Sequence, residues 1–251
     1  MSGHSHWATI RRKKGAADAK RGQIYTRLAR EIVLAARDGG GDPDSNASLA
    51  LAIDRARAQN MPKDNIERAI KRGTGESKEG NTIEEVFYEG YGPHGVALMI
   101  EVVTDNRNRA VAEVRHQLSR YGGNMAEAGS VSWQFNRVSI FSFQINNHDT
   151  DQIFELAVDA GAEDVTFDGD TGEIVGSIES FKSISEALRK ANIQPDEAGL
   201  RMAATNEIQL DDAETLQVLK LVEALEELDD VQNVYHNMSV PDSVWAQLEE
   251  A

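Results

Sequence analysis

Apolar positions recur at helical spacing between residues 17 and 72 and alternate as in strands beyond residue 96. In the first region Ile24, Leu28, Ile32 and Ala35 share one side of a 3.6-residue wheel, widened by Tyr25 and Val33, while Lys20, Arg27, Arg30 and Arg37 take another. That pattern predicts an amphipathic helix over 17–37, ended by Gly39-Gly40-Gly41-Asp42-Pro43. Leu49, Ile53 and Ala56 predict a second helix that stops near Asn60. Pro62 suits the first turn of a third, with Ile66, Ala69 and Ile70 on its buried face, Arg68, Lys71 and Arg72 opposite, and Gly73 as the C′ residue.

The polar stretch GTGESKEGN, 73–81, then leads into a region of mixed period. Val96, Leu98, Ile100 and Val102 predict a strand, Val111, Val114 and Leu118 a helix, and SVSWQF, 130–135, another strand. A strand at 138–145, a helix around Ile153 and Ala157, strands near 163–168 and 173–178, a helix around Ile184 and Leu188 and a strand from about Leu200 make a βαββαβ string. Residues 200–210 leave room for two short strands, Val218 to Leu228 mark a helix, and VQNVYH, 231–236, a last strand. The expected class is therefore α+β. A three-helix domain over 1–80 precedes a discontinuous ferredoxin-like domain over 81–136 and 205–251, and a second ferredoxin-like unit over 137–204 is inserted in the first.

Charge divides the chain along the same line. The 251 residues carry 42 Asp and Glu against 26 Lys and Arg, a net −16, yet residues 1–80 hold 16 Lys and Arg against 10 Asp and Glu. Phosphate polymers are attracted to such a cluster and repelled by a carboxylate-rich body, so any nucleic-acid contact is expected at the N-terminal third. With no cysteine in the sequence, a disulfide framework, a thiolate nucleophile and a Cys-type zinc site are excluded. No 18-residue apolar run could span a bilayer, and MSGHSHW lacks the order of a signal peptide, so a cytoplasmic protein with no membrane partner is expected.

Catalytic motifs find little support. Gly90-Tyr91-Gly92-Pro93-His94-Gly95 matches G-x-G-x-x-G, but VALMIEVV after it is a strand pattern rather than the helix a pyrophosphate needs, so a hairpin turn is expected. Of six histidines only His4 and His6 are close neighbours, too few for a zinc site. The runs Glu226-Glu227 and Asp229-Asp230 suit the solvated side or end of a helix. Neither an enzyme, a cofactor nor a metal is expected.

The opening stretch is more informative. Arg11, Arg12, Lys13 and Lys14 are consecutive, and Lys20 and Arg21 follow. Like charges this close repel, and pairing with phosphates relieves that repulsion. These six are the expected phosphate contacts, with Arg27 and Arg30 extending the surface and Arg68, Lys71 and Arg72 on the same side. A binding edge is also expected on the middle domain, where GYGPHG, DNRNR and GGNMAEAGS place Arg107, Asn108, Arg109 and Asn124; Asp105 or Asn106 would cap the helix beginning near Arg107.

GHSHWATIRRKKGAADAKRGQIYTRLAREI closely resembles the N-terminal signature of the YebC/PmpR family of transcriptional regulatory proteins, to which the mitochondrial translational activator of cytochrome c oxidase subunit I belongs. The resemblance continues through NMPKDNIERAIKRGTGE, YEGYGPHGVALMIEVVTDNRNRAVAEVRH and GGNMAEAGSVSWQF, with His6 standing where the family pattern has Lys. It implies a helical and two α+β domains, and a non-enzymatic role on nucleic acid. Members look like DNA-binding transcriptional regulators, or like ribosome-associated factors that help translation through consecutive prolines. The implied partner is thus promoter DNA or ribosomal RNA. A chain that opens on the signature has no room for a transit peptide, which suits a bacterial member.

Overall fold

The computed structural model describes residues 19–77, 83–146 and 148–250. Helix α1 (Ala19–Gly39) packs against α2 (Ala47–Ala58) and α3 (Lys63–Gly73) around Leu28, Ile32, Val33, Leu49, Ile53 and Ile66. Ile24, expected on the buried stripe, is 39% exposed because the core begins one turn later, at Leu28. Asn46 joins two helix ends: its Oδ1 accepts from the Leu49 N–H at 3.1 Å, while its amide donates to the Ala35 and Gly40 carbonyls at 2.7 and 2.9 Å.

Gly73 is the last residue of α3 rather than the residue beyond it. A Cβ there would lie 2.5 Å from the Val33 carbonyl oxygen and 2.7 Å from the Ala36 Cβ, so this glycine lets α3 approach α1. The left-handed C′ position belongs to Gly75, at φ +76°.

The next elements are β1 (Glu84–Tyr91), β2 (Ala97–Thr104), α4 (Arg107–Arg120) and β3 (Asn124–Met125). The inserted unit follows as β4 (Phe135–Gln144), α5 (Thr150–Asp159), β5 (Ala162–Asp168), β6 (Thr171–Gly176), α6 (Phe181–Lys190) and β7 (Glu197–Ala204). Its sheet is antiparallel in the ferredoxin-like order β5-β6-β4-β7. Phe141, Phe143, Ile174, Ile184 and Leu188 fill the space under α5 and α6. The chain then completes the outer unit with β8 (Ile208–Gln209), α7 (Asp212–Glu226), β9 (Val231–His236), β10 (Met238–Ser239) and α8 (Asp242–Glu250).

The outer sheet has the order β3-β1-β2-β9. This is again the spatial order of a ferredoxin-like layer, but its third strand is β1, which precedes the others in the chain. The segment 200–210, expected to provide that strand, instead ends β7 and forms β8, which pairs in parallel with β10 in a separate two-stranded sheet. Leu98, Ile100 and Val102 of β2 face α4 and α7, whereas Ala97 and Met99 meet Phe135 and Tyr235 on the other face. Both faces of β2 are covered because β4 and β7 run against the outer sheet.

SVSWQF is not a strand. Residues 132–134 form a 3-10 turn and β4 starts at Phe135. Buried Glu89 on β1 takes the backbone N–H groups of Gly129, Val131 and Ser132 at 2.7, 2.6 and 3.0 Å, which diverts them from any ladder. Burial works against that carboxylate's charge, yet the three donors hold it below the usual range. GYGPHG is a hairpin turn: Tyr91 pairs with Ala97, and His94 and Gly95 have positive φ.

Replacing Gly73 by Ala is expected to destabilise the protein by about 1–3 kcal/mol, the range for overpacking against an unyielding neighbour, as read by urea unfolding. His236 is 4% exposed, and burial pushes its pKa down to about 4 from an ordinary 6.5. Unfolded chains therefore bind a proton there first. Stability is expected to fall by about 3 kcal/mol as pH drops from 6.5 towards 4, and His236→Asn should remove that part of the slope in unfolding curves taken across the window.

Candidate nucleic-acid interface

The helical unit is fastened to the outer unit by arginines of α1. Arg27 donates to the Glu226 carbonyl at the end of α7, and Arg30 to the Asp229 carbonyl. Carbonyls at a helix C-terminus lack intrahelical partners and carry the negative end of the dipole, so two guanidiniums one helical turn apart suit them. Arg30 also reaches Asp230 Oδ1 at 2.5 Å. The other oxygen of Asp230 accepts from Thr104 Oγ1 at 2.8 Å and from Arg109 Nε and Nη2 at 3.2 and 2.7 Å. These bonds to Asp230, together with its charge, strengthen the hold of the Arg109 guanidinium on its proton.

This corrects the expectation for the acidic runs. Asp230 is 2% exposed and Glu226 is buried, so neither belongs to a solvated acidic face, whereas Glu227 and Asp229 are exposed. Arg27 and Arg30, expected at the phosphate, donate to the Glu226 and Asp229 carbonyls and, for Arg30, to Asp230. Arg109, expected on a binding edge, is paired with Asp230 and Asp105, and Arg107 with Glu84 at 2.5 Å. Asn106 caps α4 by accepting from the Arg109 N–H. Asn108 and Asn124 are exposed.

A cleft of about 430 Å³ lies between α1, α3 and the outer unit. From α1 come Tyr25, Thr26, Ala29, Arg30 and Val33; from α3 come Asn65, Arg68, Ala69 and Arg72; Ile83 and Asp105 complete the lining. The α3 residues are spaced i, i+3, i+4 and i+7 and so form one face of that helix. Arg68 is exposed and has no hydrogen-bond or ion-pair partner among the described residues; Lys71 is exposed beside the cleft. Arg11, Arg12, Lys13 and Lys14 lie outside the described residues. Lys20 and Arg21 fall in the first turn of α1, with side chains outside those described.

The sequence reading missed Tyr25, Asn65 and Asp105 as cleft residues and Asp230 as the acceptor that holds the units together. Tyr25 and Asn65 carry a faint signal, being polar or amphipathic residues next to the apolar stripes of facing helices. Asp230 carries none. Among the described residues no helix is long and apolar enough to cross a membrane.

Fold and cleft together define an α+β protein that offers a cationic, partly apolar groove between a helical unit and a sheet unit. The chain belongs to the TACO1/YebC family: residues 5–76 match its N-terminal domain and residues 83–238 its second and third domains. A "probable transcriptional regulatory protein" of Acidithiobacillus ferrooxidans is 52% identical over 249 residues, 99% of each chain. One of the same name from Chlorobaculum parvum is 49% identical over 251 residues, the full length of both. The crystal structure of a conserved hypothetical protein from Aquifex aeolicus superposes with a TM-score of 0.80 at 41% identity, covering 90% of this chain and 93% of that one.

Asp230→Ala is expected to cost about 2–4 kcal/mol in urea unfolding, somewhat below the loss for a fully enclosed pair because Arg109 can turn to water. Arg30→Met should cost more than Arg109→Met, since the Arg30 side chain is 13% exposed and that of Arg109 45%.

Proposed function

We propose that the protein is a non-enzymatic regulator of gene expression that acts by binding nucleic acid through its N-terminal unit, as a DNA-binding transcriptional regulator of the YebC type. The observation that carries this reading is the placement of charge. Arg68 and Lys71 remain without partners among the described residues beside the cleft, and the run Arg11 to Lys14 precedes α1 in the chain, while residues 81–251 hold 32 Asp and Glu against 10 Lys and Arg. Such a body is held off a phosphate polymer and leaves one end to touch it. The names of the relatives support a role in regulation.

That same acidic body favours a second reading, a ribosome-associated translation factor. A symmetric repressor lays two half-site readers along a duplex, whereas a basic end on an acidic body needs only to enter a folded RNA, where shape and phosphates suffice. Crosslinking in cells followed by sequencing separates the two, as enrichment of promoter DNA or of ribosomal RNA.

Alanine at Arg11, Arg12, Lys13 and Lys14 together is expected to abolish binding at physiological salt and leave the unfolding transition unchanged. At low salt, where binding is measurable, the plot of log affinity against log salt should be shallower by about 3. Unchanged affinity and slope would remove these four residues from the site.

A further inference from the structure

We propose that the cleft between α1 and α3 seats a single unpaired nucleotide, its phosphate on Arg68 and its base against the Tyr25 wall. The proposal rests on the nucleic-acid reading above and narrows it from a charged surface to a defined site.

Size comes first. At about 430 Å³ the cleft lies at the small end of ligand pockets, about 300–1,000 Å³. That suits one nucleotide and excludes a base pair with both backbones. A continuous duplex offers only its phosphate ridge, because its bases are stacked inside. Only a nucleotide turned out of the stack, or one in a loop or bulge, can enter.

The lining has the matching order of chemistry. Tyr25 is an aromatic wall held in place by its hydroxyl, which donates to the Asn60 carbonyl at 2.8 Å. Ala29, Ala69 and Ile83 supply flat apolar surface beside it, the kind of platform on which bases stack irrespective of sequence. Arg68, unpartnered among the described residues, is available for a phosphate oxygen. Asp105 also lines the cleft, with its Oδ1 accepting from Arg109 Nη2 at 3.2 Å. Arg30, which also reaches Asp230, lines the same cleft.

The test measures binding of the full chain, by fluorescence anisotropy at physiological salt, to a paired RNA duplex and to the same duplex with one bulged guanosine. DNA counterparts run alongside. Wild-type protein is expected to prefer the bulged form by about tenfold, within the range for stacking one base, in RNA, in DNA or in both; the polymer showing it identifies the source of the nucleotide. Arg68→Gln, which removes no internal contact, and Thr26→Phe, which narrows the cleft at unchanged charge, should each bring the preference within about twofold. Equal binding of bulged and paired forms by the wild type would overturn the seat and leave the nucleic-acid reading standing. A preference that survives both substitutions would overturn the assignment to this cleft. Binding of neither form would overturn both readings.

Discussion

The arrangement of the units depends on one buried carboxylate. Asp230 stands between the end of α7 and the start of β9, and its two oxygens accept from Arg30, Arg109 and Thr104. A carboxylate has about four lone-pair sites, and here four N–H and O–H groups meet them, so a charge that would be costly in a protein interior is fully solvated by the protein. Its backbone carbonyl also accepts from the Val103 N–H at 2.8 Å, which fixes its position beside β2. Because Arg30 belongs to α1, satisfying this carboxylate also sets where the helical unit sits.

A second acidic residue joins the three units more loosely. Glu85 at the start of β1 lies 3.7 Å from Arg37 of α1 and 3.8 Å from Arg137 of β4. Burial raises its pKa, Glu101 adds to the effect, and the two arginines only partly offset it. The contrast with Asp230 is one of geometry: long ion pairs without direct hydrogen bonds do not compensate for lost water, whereas short bonds from several donors do. Charge in this protein therefore has two uses. Arg27 and Arg30 tie the helical unit to the outer one, Arg107 and Arg109 form ion pairs within the outer unit, and Arg68 and Lys71 are exposed.

The outer unit holds its loops by the same means. Glu89 draws the 129–132 backbone onto β1, and Trp133, 70% exposed, follows from that turn with its indole N–H on the Ser130 carbonyl at 3.0 Å. His94 of the hairpin contacts Gln217 and Glu214 of α7. The glycines here answer close approaches as well as turns: a Cβ on Gly123 would stand 2.6 Å from the Tyr91 carbonyl. A Gly-rich, polar sequence is thus compatible with firmly tied loops, which is why composition alone could not separate a binding edge from turn chemistry.

Every helix before α8, most strands, the α+β class and the concentration of basic residues at one end were legible in the sequence, because periodicity and charge are local properties that each residue carries with it. The run of elements from β4 to β7 was legible too, since each carries its own periodicity. What the sequence could not express were partnerships across long separations. Strand β1 fills the sheet position expected for residues near 205, Gly73 answers a backbone oxygen forty residues earlier, and Asp230 answers arginines 200 and 121 residues away. Which arginines pair with carboxylates inside the protein was settled by those contacts. A guanidinium reads the same in sequence whether it faces water or a buried carboxylate, and only the tertiary structure brings the carboxylate within reach.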